Sequence, residues 1–382
     1  MKKTLKIIGV VLVILILGTW LFVNSLKPTY NGTIDIENLD EEVSVYYDNF
    51  GIPHIYANTE SDALTALGFV QAQDRLWQME LLRRIPTGRL SELFGEELLK
   101  TDKFFVSLGI DEASEKTIAK LDTTSQSYRL TQSYLNGINQ FIENGPKPIE
   151  LYLTGADVQP FTIKDVYNVF GYMAFSFAMA HKTDPLLTHI KTKLGAEYLL
   201  DLSIDENTNS ELIYNHSPKD SLSLSNTLMA SIDDALSKLP MPQFIGSNSW
   251  VIGPRKTKTG KVLFANDPHI GFSQPAVWYE AHINTPNYEI YGYYLGSSPF
   301  PTLGHNRKIA YGMTMFQNDD LNFYWEENHP TDANLYKTPE GWKAYETQTK
   351  IIKVKNEDYV SITVKRSRHG LIMNSITDEI TA

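Results

Sequence analysis

Lys2, Lys3 and Lys6 stand ahead of an almost unbroken apolar run from Ile7 to Val23. At about 17 residues the run is near the lower limit for a helix that crosses a bilayer. Positive charge in front of it fits an N-terminus held inside and a body exported. Trp20, Leu21, Phe22 and Val23 are bulky, so no small-residue cleavage site closes the run. The pattern therefore predicts an uncleaved membrane anchor over residues 1–26, with a cleaved signal peptide as the rival reading. Residues 27–33 read as a juxtamembrane spacer.

Beyond it the periodicity alternates between the two regular kinds. Val43–Tyr47 alternates like a strand, and a turn at 48–54 leads into Ile55–Ala57, before a helix. Thr59 and Asp62 have capping-box spacing, with Asp in place of the usual Glu. Ala66, Phe69, Val70, Gln73, Trp77 and Leu81 then recur at helical spacing. Arg83, Arg84 and Arg89 gather at the far end, where ion pairs with Glu80 or Glu92 are expected. Residues 105–200 read as mostly helical, broken at 145–148 and restarting at Thr162. From 215 to 242 the composition shifts to Ser, Asn, Asp and Lys, which predicts an exposed linker. Strand patterns follow. Trp250–Gly253 and Val262–Ala265 flank a turn with Gly260, further strands lie at 288–294 and 309–311, and a hairpin turns at 356–358. A helical front half and a β-rich back half give an α+β class with layered packing.

Charge and composition narrow the partners. The net charge of -11 argues against nucleic acid, whose phosphates need a basic surface. With no cysteine there is no disulfide framework, thiol nucleophile or thiolate metal site. Aromatic residues make up 12% of the chain, enough for large cores and for apolar ligand pockets.

The stretch Gly246-Ser-Asn-Ser-Trp-Val-Ile-Gly follows the polar linker and opens a strand. Ser247 is either an ordinary turn residue or, if the chain is cut before it, a serine with a free α-amine. An unperturbed α-amine has a pKa of about 7.7–8.0. A useful fraction is neutral near pH 7 and can serve as the serine's own base, so no His/Asp triad is required. Gly246 would give the scissile bond its backbone freedom. No Gly-x-Ser-x-Gly elbow is present to support a conventional triad.

Several linked motifs weigh on that choice. Asp48-Asn-Phe-Gly-Ile-Pro-His-Ile, Gly68-Phe-Val-Gln-Ala-Gln-Asp-Arg-Leu-Trp-Gln-Met-Glu and Arg83-Arg84 with Gly88-Arg-Leu-Ser-Glu come first. Ser247-Asn-Ser-Trp-Val-Ile-Gly, Asn266-Asp-Pro-His-Ile-Gly, Gly304-His-Asn, Asp319-Asp320 and Arg368-His369-Gly370 follow in order. From about residue 40 onward the chain resembles the penicillin acylase family. The resemblance implies an αββα N-terminal-nucleophile hydrolase core, and a precursor that cuts itself. The segments would be an α-chain-like region at 27–213, a spacer at 214–246 and the start of a β-chain-like region at 247–382. It implies Ser247 as nucleophile, His269 as a residue that positions the nucleophile and the amide, and the Met315 backbone N–H as part of an oxyanion hole. Phe175, Phe177, Met179, Ile270 and Leu303 fall near the family's acyl-pocket positions.

The resemblance also implies a structural calcium ion, held by Asp319, the Leu321 carbonyl, Asn322 and Asp184. The expected substrate is a small-molecule amide: the acyl side chain of a penicillin-like, homoserine-lactone-like or N-acyl amino acid compound. The α- and β-chain parts are expected to stay associated after the cut. The family's second chain continues beyond Ala382 with an oxyanion asparagine, an arginine and a further calcium aspartate, so the chain looks truncated and incomplete at its C-terminus. A non-catalytic, membrane-anchored protein that has kept the fold is the alternative.

The N-terminal pattern is directly testable. The protein is expected in the membrane fraction with its N-terminus intact; a soluble form starting near Lys27 on N-terminal sequencing would replace the anchor with a cleaved signal.

Overall fold

The computed structural model describes residues 2–178, 180–195, 197–201, 230, 232–241, 244–315 and 321–373, with the side chains of 2, 180–185, 200, 244 and 245 left undescribed. The apolar N-terminal run is helix α1, Lys2–Ser25, exposed along its length with a mean hydropathy of 2.6 over its most apolar window. It is long and apolar enough to cross a membrane. The spacer after it is pinned to the body. Tyr30 donates its hydroxyl to Asp74 at 2.8 Å, and Glu37 exchanges two backbone hydrogen bonds with the Gln140 side chain at 2.6 and 2.9 Å.

The predicted strand is β1 (Ser44–Tyr47), and the turn after it leads into β2 (Pro53–Tyr56), which pairs with β1 antiparallel. Asp48 makes the turn by accepting from the N–H groups of Phe50 and Ile52, and Gly51 takes the left-handed φ of 78° that the turn needs. Helix α2, Glu60–Arg84, starts at the predicted cap, where Thr59 accepts from the Asp62 N–H at 3.0 Å. The capping box is only half made. Asp62 turns its carboxylate outward to the N–H groups of Asp40 and Glu41 and so fixes the incoming chain.

The periodicity predicts an apolar stripe on α2, but the helix is buried on nearly all sides. Most of its buried polar side chains are paired inside the protein, as such groups usually are, although Arg75 Nε has no hydrogen-bond partner among the described residues. Gln71 binds Leu295 O and Tyr134 OH, Gln78 binds Ala276 O, and Asp74 accepts from Tyr30 and Tyr279. Burial holds the Asp74 carboxyl above its ordinary pKa. Glu80 is fully buried between Arg83 at 2.6 Å and Arg84 at 2.5 Å, and Arg84 continues to Glu92 at 2.7 Å. Both glutamates that the arginine cluster was expected to pair with are used.

Helix Gln126–Asn144 packs against α2 with almost no side-chain layer between them. A Cβ on Gly68 would lie 2.0 Å from Tyr134 O, and one on Gly137 would lie 1.9 Å from Thr65 O. The two backbones touch through these glycines.

Over this pair lies a six-stranded sheet in the order β1-β2-β5-β6-β7-β8. Its later strands are β5 (Trp278–Asn284), β6 (Glu289–Leu295), β7 (Leu303–His305) and β8 (Ala310–Tyr311). Strand β5 alternates strictly, turning Tyr279, Ala281 and Ile283 onto α2 beside Ile55, Ile290 and Tyr294. β2 pairs with β5 in parallel, and all other pairs are antiparallel. That parallel pair joins the chain before residue 246 to the chain after it. At the joint the Nδ1 atoms of His54 and His282 lie 3.1 Å apart.

A separate antiparallel hairpin is made of β3 (Phe244–Ile252) and β4 (Leu263–Ile270), with Gly260 in its turn at φ 65°. It lies against helix Ile163–Phe177, whose start carries a complete capping box of Thr162 and Asp165. The chain ends in β9 (Asn328–His329), β10 (Asp332–Thr338), β11 (Gly341–Ala344), β12 (Glu346–Ile352) and β13 (Val360–Arg366). The last two strands form the hairpin predicted around Asn356. The class is α+β. Of the four expected layers, the described residues form helices over one face of the six-stranded sheet and, apart from it, the two-stranded hairpin.

The linker expectation fails where it can be checked. Residues 232–237 form a helix, and Ile232, Ala235 and Leu236 are buried against Phe104, Phe105, Val169 and Tyr172. Thr101 donates to Ala235 O at 2.8 Å. Three apolar residues on one helical face outweigh the polar composition around them. Most of the remaining linker lies outside the described residues.

Because backbone meets backbone at the helix pair, Gly137→Ala is expected to destabilise the protein by about 3 kcal/mol or more, at the upper end of overpacking costs. Urea denaturation checks this, with Ala113→Gly at an exposed position of helix Ile110–Ile118 as a reference for simple helix propensity.

Candidate active site

Strand β3 runs straight through Gly246 and Ser247, opposite His269 and Pro268 on β4. One extra residue sits on β3 between Phe244 and Gly246, where the register shifts. Such a bulge leaves a residue unpaired and increases the local twist. It falls immediately before the candidate scissile bond. The strand also starts earlier than the sequence pattern suggested, because pairing with β4 carries it back to Phe244.

Ser247 is half-buried. Its Oγ accepts a hydrogen bond from the Met315 backbone N–H at 2.6 Å. Two residues 68 positions apart in the chain are thus joined by the very atoms that the family resemblance singles out. Beside them, the ring of His269 lies over Gly246: a Cβ on that glycine would be 3.6 Å from His269 Nδ1. The other ring nitrogen, Nε2, lies 3.1 Å from Asp267 Oδ2 and 3.3 Å from Asn248 Nδ2. The Asp267 carboxylate can only accept and the Asn248 amide nitrogen can only donate, so Nε2 serves one or the other according to its tautomer, while Nδ1 faces Gly246.

Asn266 was quoted within a motif and given no role. The structure gives it one. Its Nδ2 donates to Asn248 O and to Met313 O, both at 3.0 Å. It therefore ties the residue after Ser247 to the segment that carries the Met315 N–H. Its Oδ1 is buried without a protein partner, and Gly312 leaves the room it needs, since a Cβ there would come within 2.2 Å of that oxygen. Nothing in the local sequence shows this bridge, because its ends are 18 and 47 positions away.

The expected pocket residues divide. Phe175, Phe177 and Ile270 pack against one apolar cluster, with the Phe175 ring 5.5 Å from Phe104 and 6.0 Å from Phe105. Leu303 is buried in β7 of the large sheet, outside that cluster. Met179 lies outside the described residues. An open depression of about 600 Å³ on the β1–β2 hairpin, lined by Tyr46, Asp48, His54 and Tyr56 among others, shares no residue with the Ser247 group.

For calcium, Asp319 and the side chain of Asp184 lie outside the described residues. Leu321 is half-buried and Asn322 is exposed. No group of three or more His, Asp or Glu placed to hold a metal occurs among the described residues. The expected donors are all oxygens, which is the chemistry a hard cation takes.

A family model described as Penicillin amidase matches residues 42–381. The acyl-homoserine lactone acylase QuiP of Pseudomonas aeruginosa is 29% identical over 376 residues, covering 94% of this chain and 44% of that protein. Penicillin acylase 2 proenzyme of Pseudomonas sp. strain SE83 is 31% identical over 317 residues, covering 78% of this chain and 39% of its own. Penicillin G acylase of Escherichia coli is 27% identical over 400 residues, covering 90% and 47%. The chain spans less than half the length of these relatives. With one family model running from just before β1 to beyond β13, through the hairpin that carries Ser247, this chain belongs to the penicillin amidase family.

Proposed function

We propose that the protein hydrolyses a carboxamide with Ser247 as an N-terminal nucleophile, exposed by self-cleavage at Gly246–Ser247. The observation that carries this reading is the 2.6 Å contact between Ser247 Oγ and the Met315 N–H. A backbone donor aimed at the attacking oxygen is already in place in the uncut chain.

In the first step Oγ attacks the Gly246 carbonyl carbon. The C–N bond breaks, an ester forms, and the Ser247 nitrogen gains the hydroxyl's proton. Water then hydrolyses the ester, leaving a carboxylate on Gly246 and a free amine and hydroxyl on Ser247. The β-bulge and the absent side chain of Gly246 let the backbone reach the strained geometry that this step needs. His269, with Nδ1 over Gly246, is placed to shuttle the proton.

In turnover the amine takes the proton of Oγ as it attacks the substrate amide, then delivers it to the leaving amine. As Oγ bonds to the carbonyl carbon it gives up the hydrogen bond from the Met315 N–H, which passes to the adjacent carbonyl oxygen as charge develops there, a role worth about 3–4 kcal/mol for one donor. Phe175, Phe177 and Ile270 would line the acyl side. Its similarity to an acyl-homoserine lactone acylase and a penicillin acylase makes an acyl-homoserine lactone or a penicillin the first substrates to try. The cut chains would stay together through the parallel β2–β5 pair and through Gln71–Leu295, Gln78–Ala276 and Asp74–Tyr279. We place the body outside the cytoplasm, anchored by α1.

Intact-mass analysis tests the cut. Ser247→Ala should remain uncut, Ser247→Cys should still cut, and Ser249→Ala should behave as the parent. Asn266→Leu removes two tethers of about 1 kcal/mol each and should slow cutting about tenfold or more. A chain that cuts with Ser247→Ala overturns the proposal, and a parent that stays uncut leaves a non-catalytic family member. In a processed enzyme the rate should rise with pH through about 7–8, because the base is the neutral form of the amine.

We also propose a structural calcium ion held by Asp319, Asn322, the Leu321 carbonyl and Asp184. A chelator should then lower the unfolding temperature, and calcium should restore it. If neither thermal stability nor cutting responds to the chelator, the calcium proposal is dropped.

A further inference from the structure

Helix Ile149–Thr154 turns its apolar side outward. Leu151 is buried in the main core, but Ile149, Tyr152 and Leu153 are 40%, 53% and 76% exposed. Their i, i+3, i+4 spacing puts all three on one face. A surface helix in water presents the reverse pattern, and a contiguous apolar patch of this kind marks a contact surface.

Two further observations say what the face meets. The ring of Tyr152 touches that of Phe22 edge-on, with centroids 5.3 Å apart. Phe22 lies in the last turn of α1, two residues after Trp20, where aromatic side chains of a spanning helix sit at the membrane–water boundary. The connection is also short. Five residue steps separate Ser25 from Tyr30, a reach of at most about 18 Å, and Tyr30 is hydrogen-bonded to the half-buried Asp74. Glu37 is fixed to Gln140 a few residues on. The tether therefore keeps the body close to the end of α1. Lys147, two residues before the face, and Lys27, just after α1, are both exposed and suit lipid phosphates.

We propose that Ile149, Tyr152 and Leu153 form a membrane-contact surface that enters the interfacial layer of the bilayer spanned by α1, and so fixes the orientation of the catalytic body above the membrane. The occupant of the face is lipid, not a second protein. The proposal rests on α1 being a retained bilayer helix.

The absence of cysteine makes the test clean, because each introduced cysteine is unique. Full-length Leu153→Cys, Val13→Cys and Lys258→Cys would each carry an environment-sensitive fluorophore in phosphatidylcholine–phosphatidylglycerol vesicles. Quenching by brominated lipid and by aqueous iodide would be read for each. Leu153 is expected to show lipid quenching with a loss of iodide quenching relative to Lys258, an exposed position on the β3–β4 turn, while Val13 shows lipid quenching alone. Ile149→Cys should repeat the Leu153 result. If Val13 is lipid-quenched but Leu153 is as iodide-accessible as Lys258, the surface proposal fails and the anchor stands. If Val13 too is aqueous, the anchor reading fails and takes the proposal with it. Protection of Leu153 from iodide without lipid quenching, lost when the protein-to-lipid ratio is lowered, would assign the face to a second copy and also overturn the proposal.

Discussion

Helix α2 has no solvent face, and the rest of the molecule is arranged to satisfy it. A helix buried on all sides must find partners inside the protein for most of the polar side chains it carries. Each partner then becomes a tie between elements. Gln71 and Gln78 reach backbone carbonyls on either side of β5, at Leu295 and Ala276. Asp74 collects one tyrosine from the spacer and one from β5. Glu80 draws two arginines into the interior, and Arg84 passes the link to Glu92. Removing one member of such a buried ionic group leaves an uncompensated charge, which costs about 3–5 kcal/mol. These ties orient the sheet on the helix, whereas the apolar contacts around them only require that the two meet.

The candidate site inherits its geometry from a different device. Ser247 lies on a two-stranded hairpin, which alone would be marginal in water. The hairpin is held by helix Ile163–Phe177 on one side and by Asn266 on the other. Asn266 uses one amide group to span from the strand that carries Ser247 to the segment with Met315. Its satisfied donors and its tight fit against Gly312 leave little freedom for the distance between Ser247 Oγ and the Met315 N–H. The bulge between Phe244 and Gly246 is where this hairpin's ladder is relaxed, and the pairing resumes at Gly246 and Ser247.

Tyr30 ties the segment after α1 to the half-buried Asp74, so the carboxylate that α2 shares with β5 also limits the reach between α1 and the body.

The sequence by itself determined the local elements and the chemistry to look for. The apolar run of α1, the caps at Thr59 and Thr162, the β3–β4 and β12–β13 hairpins and the pairing of Glu80 and Glu92 with arginines all depend on residues close together in the chain. Periodicity, caps and turns report such short-range physics well. The linked motifs placed Ser247, His269 and Met315 on one list. Tertiary structure decided the rest. Only packing could bury α2 on its polar sides, pull 232–237 out of a polar linker into the core, or send the Asp62 carboxylate to Asp40 instead of back to its own cap. Only the fold could bring Met315 across 68 residues to Ser247, and show Asn266 as the bridge that keeps it there. The reason is the same in each case. A buried polar group takes whatever partner the fold brings within about 3 Å, and that partner's distance along the chain is arbitrary, so no local pattern encodes it.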